Sequence, residues 1–240
     1  MRRESAQNFG RSMWYPVGNV VGMTSTMIGS GLYDASEVAL LCGMTPDQVV
    51  RWSTSSTHGD APVNASFDRL FSSADLVAFT VARQIRDNGV SDRHLREGVA
   101  TLRSTWGTES PLAAQQIIER LATSGDSFLA QRAGGDYEDI GRGGQGTFQV
   151  VIKVHLRRIQ FDGAGQPTRW TPADGVVIDP EVQAGAPCVE GTRIPTRVVA
   201  ERAAVEPDDD IAFDLDLELS AIEAAIRFEE LLAQGAGIPA

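Results

Sequence analysis

Tyr33-Asp34-Ala35-Ser36-Glu37-Val38-Ala39-Leu40-Leu41-Cys42-Gly43-Met44-Thr45-Pro46-Asp47-Gln48-Val49-Val50-Arg51-Trp52 is the run that speaks most clearly about architecture. Leu32, Val38, Leu41 and Met44 supply its first apolar positions. Ser36 followed by Glu37 suits a helix start, and Gly43 suits a stop. Thr45 can then open a second helix, with Pro46 at the tolerated first position and Asp47 in the first turn. Val49, Val50 and Trp52 are the apolar residues of that helix, with Trp52 a core residue. Helix, tight turn at glycine, helix is a helix-turn-helix arrangement.

Further helical patterns follow. Ser53 to Ser66 is polar, with Gly59 and Pro62, and suits a loop or a small hairpin. Ser72 or Ser73 can cap a helix over 74–88 that carries Leu76, Val77, Phe79, Val81, Ala82 and Ile85 and ends at Gly89. Ser91 caps another through Leu102, with Leu95, Val99 and Leu102 facing inward. A third is expected over 111–122, with Ile117, Ile118 and Leu121 on one face. Gly125 to Gly146 is rich in glycine and marks the expected domain boundary. The run from Phe148 to Ile159 fits a strand and a helix almost equally. Pro167 to Pro172 reads as extended and Val176 to Ile178 as a short strand. Helical patterns then cover 195–204, 207–213 and 219–232.

Composition bounds the reading. The chain has 240 residues, 42% of them hydrophobic, and a formal net charge of −11. The charge is uneven: 10 basic and 11 acidic residues lie in 1–110, 7 and 7 in 111–175, and 4 and 14 in 176–240. The last quarter should therefore attract basic partners and repel phosphate, while the first half is free to approach DNA. Cys42 and Cys188 have no cluster of ligands near them in sequence and read as reduced thiols. No run of about 18 apolar residues suggests a membrane span. Residues 1–30 read as a disordered leader or an overcalled translation start, and a cytoplasmic location is expected.

Residues 32–102 resemble the DNA-binding domain of MerR-type regulators. The residues that carry the likeness are the run 33–39, Gly43-Met44-Thr45, Val50-Arg51-Trp52, Phe71 to Leu76 and Gly89-Val90-Ser91. The resemblance implies a winged helix-turn-helix that binds DNA as a homodimer. The second helix would present Thr45, Asp47, Gln48 and Arg51 to base edges. Gln48 suits adenine and Arg51 suits guanine. Arg69 is the best wing contact to phosphate, and Arg83, Arg86, Arg93, Arg96 and Arg103 add basic surface. The wing lacks a run of arginines and this half is not net basic, so a weak, salt-sensitive affinity is expected.

Residues 176–230 resemble a small antitoxin domain, the domain-of-unknown-function family four hundred and thirty-three. Ile178-Asp179-Pro180, Gly185 to Val189, Glu190-Gly191-Thr192-Arg193-Ile194-Pro195-Thr196 and Ile222 to Phe228 carry this likeness, and the Gly-Thr-Arg-Ile-Pro run is the specific part. The order of the two regions is similar to that of VapB-type antitoxins, which implies a PIN-like ribonuclease toxin as partner and repression of the chain's own operon. The chain has Leu215-Asp216 where a Tyr-Gly-like pair is often found, and Glu218 as the last helix cap. Arg193 reads first as a loop anchor, with Asp179 a candidate partner, and second as a toxin contact. Arg197 and Arg202 are further candidates for the toxin interface, since they could reach a nuclease's acidic metal site.

The expectation is thus a mostly α protein with short β elements: a leader over 1–30, a MerR-like domain with following helices over 31–124, a glycine-rich linker over 125–147 and an antitoxin domain over 148–240. It is expected to be a repressor and antitoxin, not an enzyme, with no cofactor and no metal. A stand-alone regulator with a small-molecule pocket near Phe161 and Trp170 is the alternative. Gly141 to Gly146 matches G-x-G-x-x-G but lacks a convincing strand before it, so it reads as linker. His58, His94 and His155 are scattered without ligand spacing.

Overall fold

Residues 31–132, 135–142, 144–145, 152–153 and 158–234 of a computed structural model are described. The leader expected over 1–30 lies outside them, as do most of the ambiguous run 148–159 and part of the glycine motif 141–146.

The opening helices form for local reasons. Helix α1 spans Ala35–Cys42. Its cap is Asp34 rather than Ser36: the Asp34 carboxylate accepts from the amides of Ser36 at 2.7 Å and Glu37 at 2.9 Å, and Glu37 accepts from the Asp34 amide at 2.8 Å. This reciprocal box satisfies donors that a helix start leaves orphaned. Gly43 ends α1 at φ 61°, a left-handed conformation that favours glycine. Helix α2, Pro46–Trp52, starts with a second box between Thr45 and Gln48. Helices α3, Ser73–Asp87, and α4, Asp92–Trp106, are capped by Ser72 and Ser91. Their buried residues meet Val38, Leu41, Val49 and Trp52 in one core, where Phe71 and Phe79 pack edge to face at 5.2 Å.

Beyond α4 the expected helix over 111–122 is not formed. The chain makes a tight turn at Pro111–Ala113, a single turn α5 at Gln115–Ile118, and then strand β1 at Leu121–Ser124. Gly125, at φ 57°, turns β1 back into β2, Ser127–Gln131. Strands β3, Tyr137–Asp139, β4, Gly144–Gln145, and β5, Ile152–Lys153, complete an antiparallel sheet in the order β4-β3-β2-β1-β5. The stretch read as a glycine-rich linker therefore carries three strands of this sheet. A second antiparallel sheet, β6-β7-β8-β9, is built from Ile159–Phe161, Pro167–Ala173, Val176–Ile178 and Cys188–Val189. Three helices close the described chain: α6 at Thr196–Ala203, α7 at Asp208–Leu215 and α8 at Leu219–Ala233.

The expected mostly α class is corrected accordingly: the fold mixes eight helices with two antiparallel sheets among the described residues. The winged helix-turn-helix is corrected too. Between α2 and α3 the described chain makes only isolated bridges, Ser56 with Gly59, Phe67 with Leu70 and Phe71 with Tyr33, and no paired strands that would form a wing. The physical reason for the missed sheet is burial on both faces. Leu121, Ala122 and Thr123 are all buried, so the strand shows no alternation to be read.

One hydrophobic cluster joins the two ends of the chain. Val176 and Ile178 of β8, Trp170 of β7, and Phe228 and Leu232 of α8 belong to the same core as α1, α3 and α4. A smaller core of Val189, Val199, Ile211, Ile222 and Ala225 lies within the C-terminal helices.

Candidate functional site

Helix α2 carries the expected DNA-contacting residues, and the structure gives them unequal freedom. Thr45 is the cap, accepting from the Gln48 amide at 3.2 Å, while the Gln48 side-chain oxygen accepts from the Thr45 amide at 2.8 Å. Gln48 thus spends its acceptor on the cap and keeps its amide donors. Arg51, one turn on, is exposed and reaches Asp92 of α4 at 3.5 Å. Arg69 is exposed in the tight turn between Phe67 and Leu70, next to Asp68 at φ 46°.

The arginines expected as basic surface behind α2 mostly hold the chain together. Arg96 is buried, and its guanidinium donates to the carbonyls of Arg51 at 2.7 Å, Asp60 at 3.0 Å, Thr54 at 3.1 Å and Gly59 at 3.3 Å. One fork of donors therefore fixes the end of α2 and the loop after it. Burial lowers the pKa of Arg96 from its ordinary value. Arg103 donates to Ala61, Pro62 and Glu109 carbonyls. Arg83, Arg86 and Arg93 pair with Asp87, Asp92 and Glu97. Sequence reasoning missed the Arg96 role because its acceptors lie 36 to 45 residues away.

The seam between the ends of the chain is held by Tyr33, whose hydroxyl donates to the Gly185 carbonyl at 2.8 Å. Burial holds this phenol protonated, well above its usual range. Gln183, Ala184 and Gly185 are all left-handed, at φ 48°, 54° and 86°. A Cβ on Gly185 would come within 2.3 Å of the Tyr33 hydroxyl, so glycine is required by both conformation and space. Beside this loop lies a cleft of about 610 Å³, lined by Leu40, Glu37, Pro187, Arg197, Glu229 and Leu232 among others. The amide of buried Thr196 donates to the Pro187 carbonyl at 2.9 Å, and its hydroxyl donates to Glu229 inside the cleft. The aromatic pocket expected near Trp170 is different: the space there is about 10 Å³, and Trp170 is a core residue.

The three arginines expected at a toxin interface sit in the C-terminal helices and the turn before them. Arg193 is exposed and forms no ion pair with Asp179 among the described residues; Asp179 instead accepts from the Glu181 amide. The Arg193 carbonyl accepts from the Gln183 side chain at 3.0 Å. Arg197 pairs with Glu201 at 3.1 Å. Arg202 pairs with Glu206 and with Asp214 at 2.8 Å. Hydrogen bonds donated to the Glu206 and Asp214 carboxylates push its pKa higher still, so it is a fixed cation in a double clamp. Around these arginines the surface is acidic, with Asp208, Asp209, Asp210, Asp214, Asp216 and Glu218 all exposed.

A third polar cluster joins α4 to the first sheet. His94 lies 3.0 Å from Asp126, and Arg142 contacts both. Cys42 and Cys188 are free and buried. Burial pushes the Cys42 thiol up to about 12, which makes it an inert packing group. Among the described residues, no group of three or more His, Cys, Asp or Glu side chains is placed to hold a metal ion. No helix among them is long and apolar enough to cross a membrane.

With this geometry in place, comparison with known proteins assigns the C-terminal unit. Residues 176–228 match the family model described as a protein of unknown function (DUF433). The match covers β8 through most of α8 and includes the Gly-Thr-Arg-Ile-Pro run. No curated protein matches the chain. Among solved structures, the X-ray crystal structure of Rv2018 from Mycobacterium tuberculosis is similar, with a TM-score of 0.53 and 17% identity, covering 81% of this chain and 96% of that one. At that identity the likeness is one of fold. Residues 176–228 are thus the part matched by a family model, and the likeness in fold to the solved structure extends over 81% of the chain.

Proposed function

We propose that the chain is the antitoxin of a type II toxin–antitoxin pair, neutralising a PIN-like ribonuclease by direct binding and repressing its own operon in the cytoplasm. The observation that carries this reading is the exposed acidic surface of the DUF433 unit: Asp208, Asp209, Asp210, Asp214, Asp216 and Glu218 all face solvent on α7 and the turns beside it. A ribonuclease must present a basic path to RNA phosphates, and such a path is complementary to this surface. The alternative route, in which Arg202 enters the acidic metal site of a nuclease, requires breaking its contacts to Glu206 and Asp214. The acidic route leaves that clamp intact, since Asp208, Asp209, Asp210, Asp216 and Glu218 take no part in it.

Operator contact is assigned to α2, through Thr45, Gln48 and above all the exposed Arg51, with Arg69 on phosphate. Two copies of the chain would read a symmetric site. The test is co-expression with the product of the adjacent reading frame, followed by size exclusion and a growth assay. A stable complex that rescues growth supports the reading, and toxicity without complex formation refutes it. A second reading, a regulator that senses a small molecule, is favoured by the cleft at the seam, whose size of about 610 Å³ suits a small ligand.

A further inference from the structure

The two most exposed large apolar side chains among the described residues are both on the α6–α7 hairpin: Phe213 is 86% exposed and Val205 is 82% exposed. Helix α7 anchors itself to the small core through Ile211, which is fully buried, and Phe213 projects away from that anchor. A single exposed leucine needs no explanation, but a phenyl ring left almost wholly in water does nothing for this fold. Its surroundings are specific. Asp209 and Asp210 stand four and three residues before it, so helical spacing places them beside the ring, and Asp216, the left-handed cap that ends α7, follows three residues on. All three are exposed. From 196 to 219 the chain has eight acidic residues and two arginines, and both arginines are already paired with acids of the same hairpin.

We infer that this face is a docking surface for a basic protein, in which Phe213 enters an apolar socket and the aspartates meet a cationic rim. The inference rests on the antitoxin reading, under which the occupant is the cationic RNA path of the ribonuclease. Charge decides among occupants. A second copy placed on this face would set aspartate against aspartate, and a nucleic acid would bring phosphate to the same acids. A cationic protein gains from the rim and covers the ring. An aromatic side chain at the centre of a polar ring is also the arrangement in which one residue carries much of an interface's affinity.

The test uses the full chain and the purified product of the adjacent reading frame, with affinity and rates measured by surface plasmon resonance at low and high salt. Phe213→Ala should keep the wild-type thermal midpoint, because the ring is solvated, yet weaken binding by about 30-fold or more. Asp209→Asn with Asp210→Asn should slow association and flatten its salt dependence, with little change in dissociation. Val50→Ala, an exposed apolar change on α2, should leave binding unaltered. If Phe213→Ala binds as tightly as wild type while wild type rescues growth, the docking face is wrong and the antitoxin reading stands. If wild type neither binds nor rescues, both fall. If Phe213→Ala instead turns a sedimenting dimer into a monomer with unchanged partner affinity, the occupant is a second copy and the inference is overturned.

Discussion

Replacing Gly98 by alanine sets two effects of opposite sign against each other. Gly98 lies inside α4, with ordinary helical backbone, so alanine should favour the helix by about 1 kcal/mol. The added methyl, however, would lie 2.2 Å from Cδ1 and 2.7 Å from Cε1 of Phe128 on β2. Carbon atoms rest at about 3.5–4.0 Å, so the ring must move by more than about 1 Å. Phe128 is fully buried and cannot swing into solvent. Overpacking of this kind costs about 1–3 kcal/mol, and a displacement this large falls at the upper end. The expected net effect is a loss of about 2 kcal/mol, or a melting point lower by roughly 4–8 °C for a chain of this size. Urea denaturation followed by circular dichroism measures it. In a Phe128→Leu background the same substitution should become neutral or stabilising, giving a coupling of about 2 kcal/mol. A Gly98→Ala protein more stable than wild type would refute the reasoning, because it would show that the first sheet is not packed tightly on α4.

Three further outcomes are expected. Arg96→Ala strands four carbonyls around the end of α2 and should cost about 3 kcal/mol or more in urea unfolding; a loss below about 1 kcal/mol would mean that the loop after α2 does not depend on this fork. Arg51→Ala removes only an exposed ion pair, so it should cost less than about 1 kcal/mol of stability while weakening promoter binding about tenfold or more in a mobility-shift assay; unchanged binding removes α2 from the operator contact. Burial opposes the charge on Asp126, but hydrogen bonds from the Ser91 amide, His94 and Arg142 outweigh it and hold its carboxyl at about 2. Because the unfolded value is near 4, the stability this supplies is complete above about pH 4 and is lost as pH falls to about 2. Thermal midpoints of wild type and Asp126→Asn should therefore converge between about pH 5 and 2, and a constant gap would show that the cluster does not hold the carboxylate ionised.

What could be read from the sequence was what the chain encodes locally. Gly43, Thr45 and Pro46 announce a stop and a start within four residues, and the helices appear there. The patterns near Pro195, Pro207 and Leu219 likewise yield α6, α7 and α8 with ends shifted by one or two residues. What could not be read was long-range. The run from Leu121 to Ser124 continues the apolar spacing of a helix, and only its partners on β2 and β5 make it a strand. Tyr137-Glu138-Asp139 is too polar to announce itself, and it is a strand because β2 offers it an edge. Arg96 reads as solvent-facing charge until its acceptors are seen. Phe213 was not legible either, because only the packed structure shows that Ile211, and not the phenyl ring two positions on, is the side chain that α7 buries.

The common core of Trp170, Val176, Ile178, Phe228 and Leu232 with α1, α3 and α4 bears on how such a protein can be rearranged. Residues 176–228 match a family model of their own, yet they fold here with one apolar side turned onto the helices before them. Grafted behind an unrelated N-terminal unit, this segment would arrive with a bare hydrophobic flank and no Tyr33 to hold the Gln183–Gly185 turn. A viable fusion must therefore carry the matching faces of α1 and α3 with it.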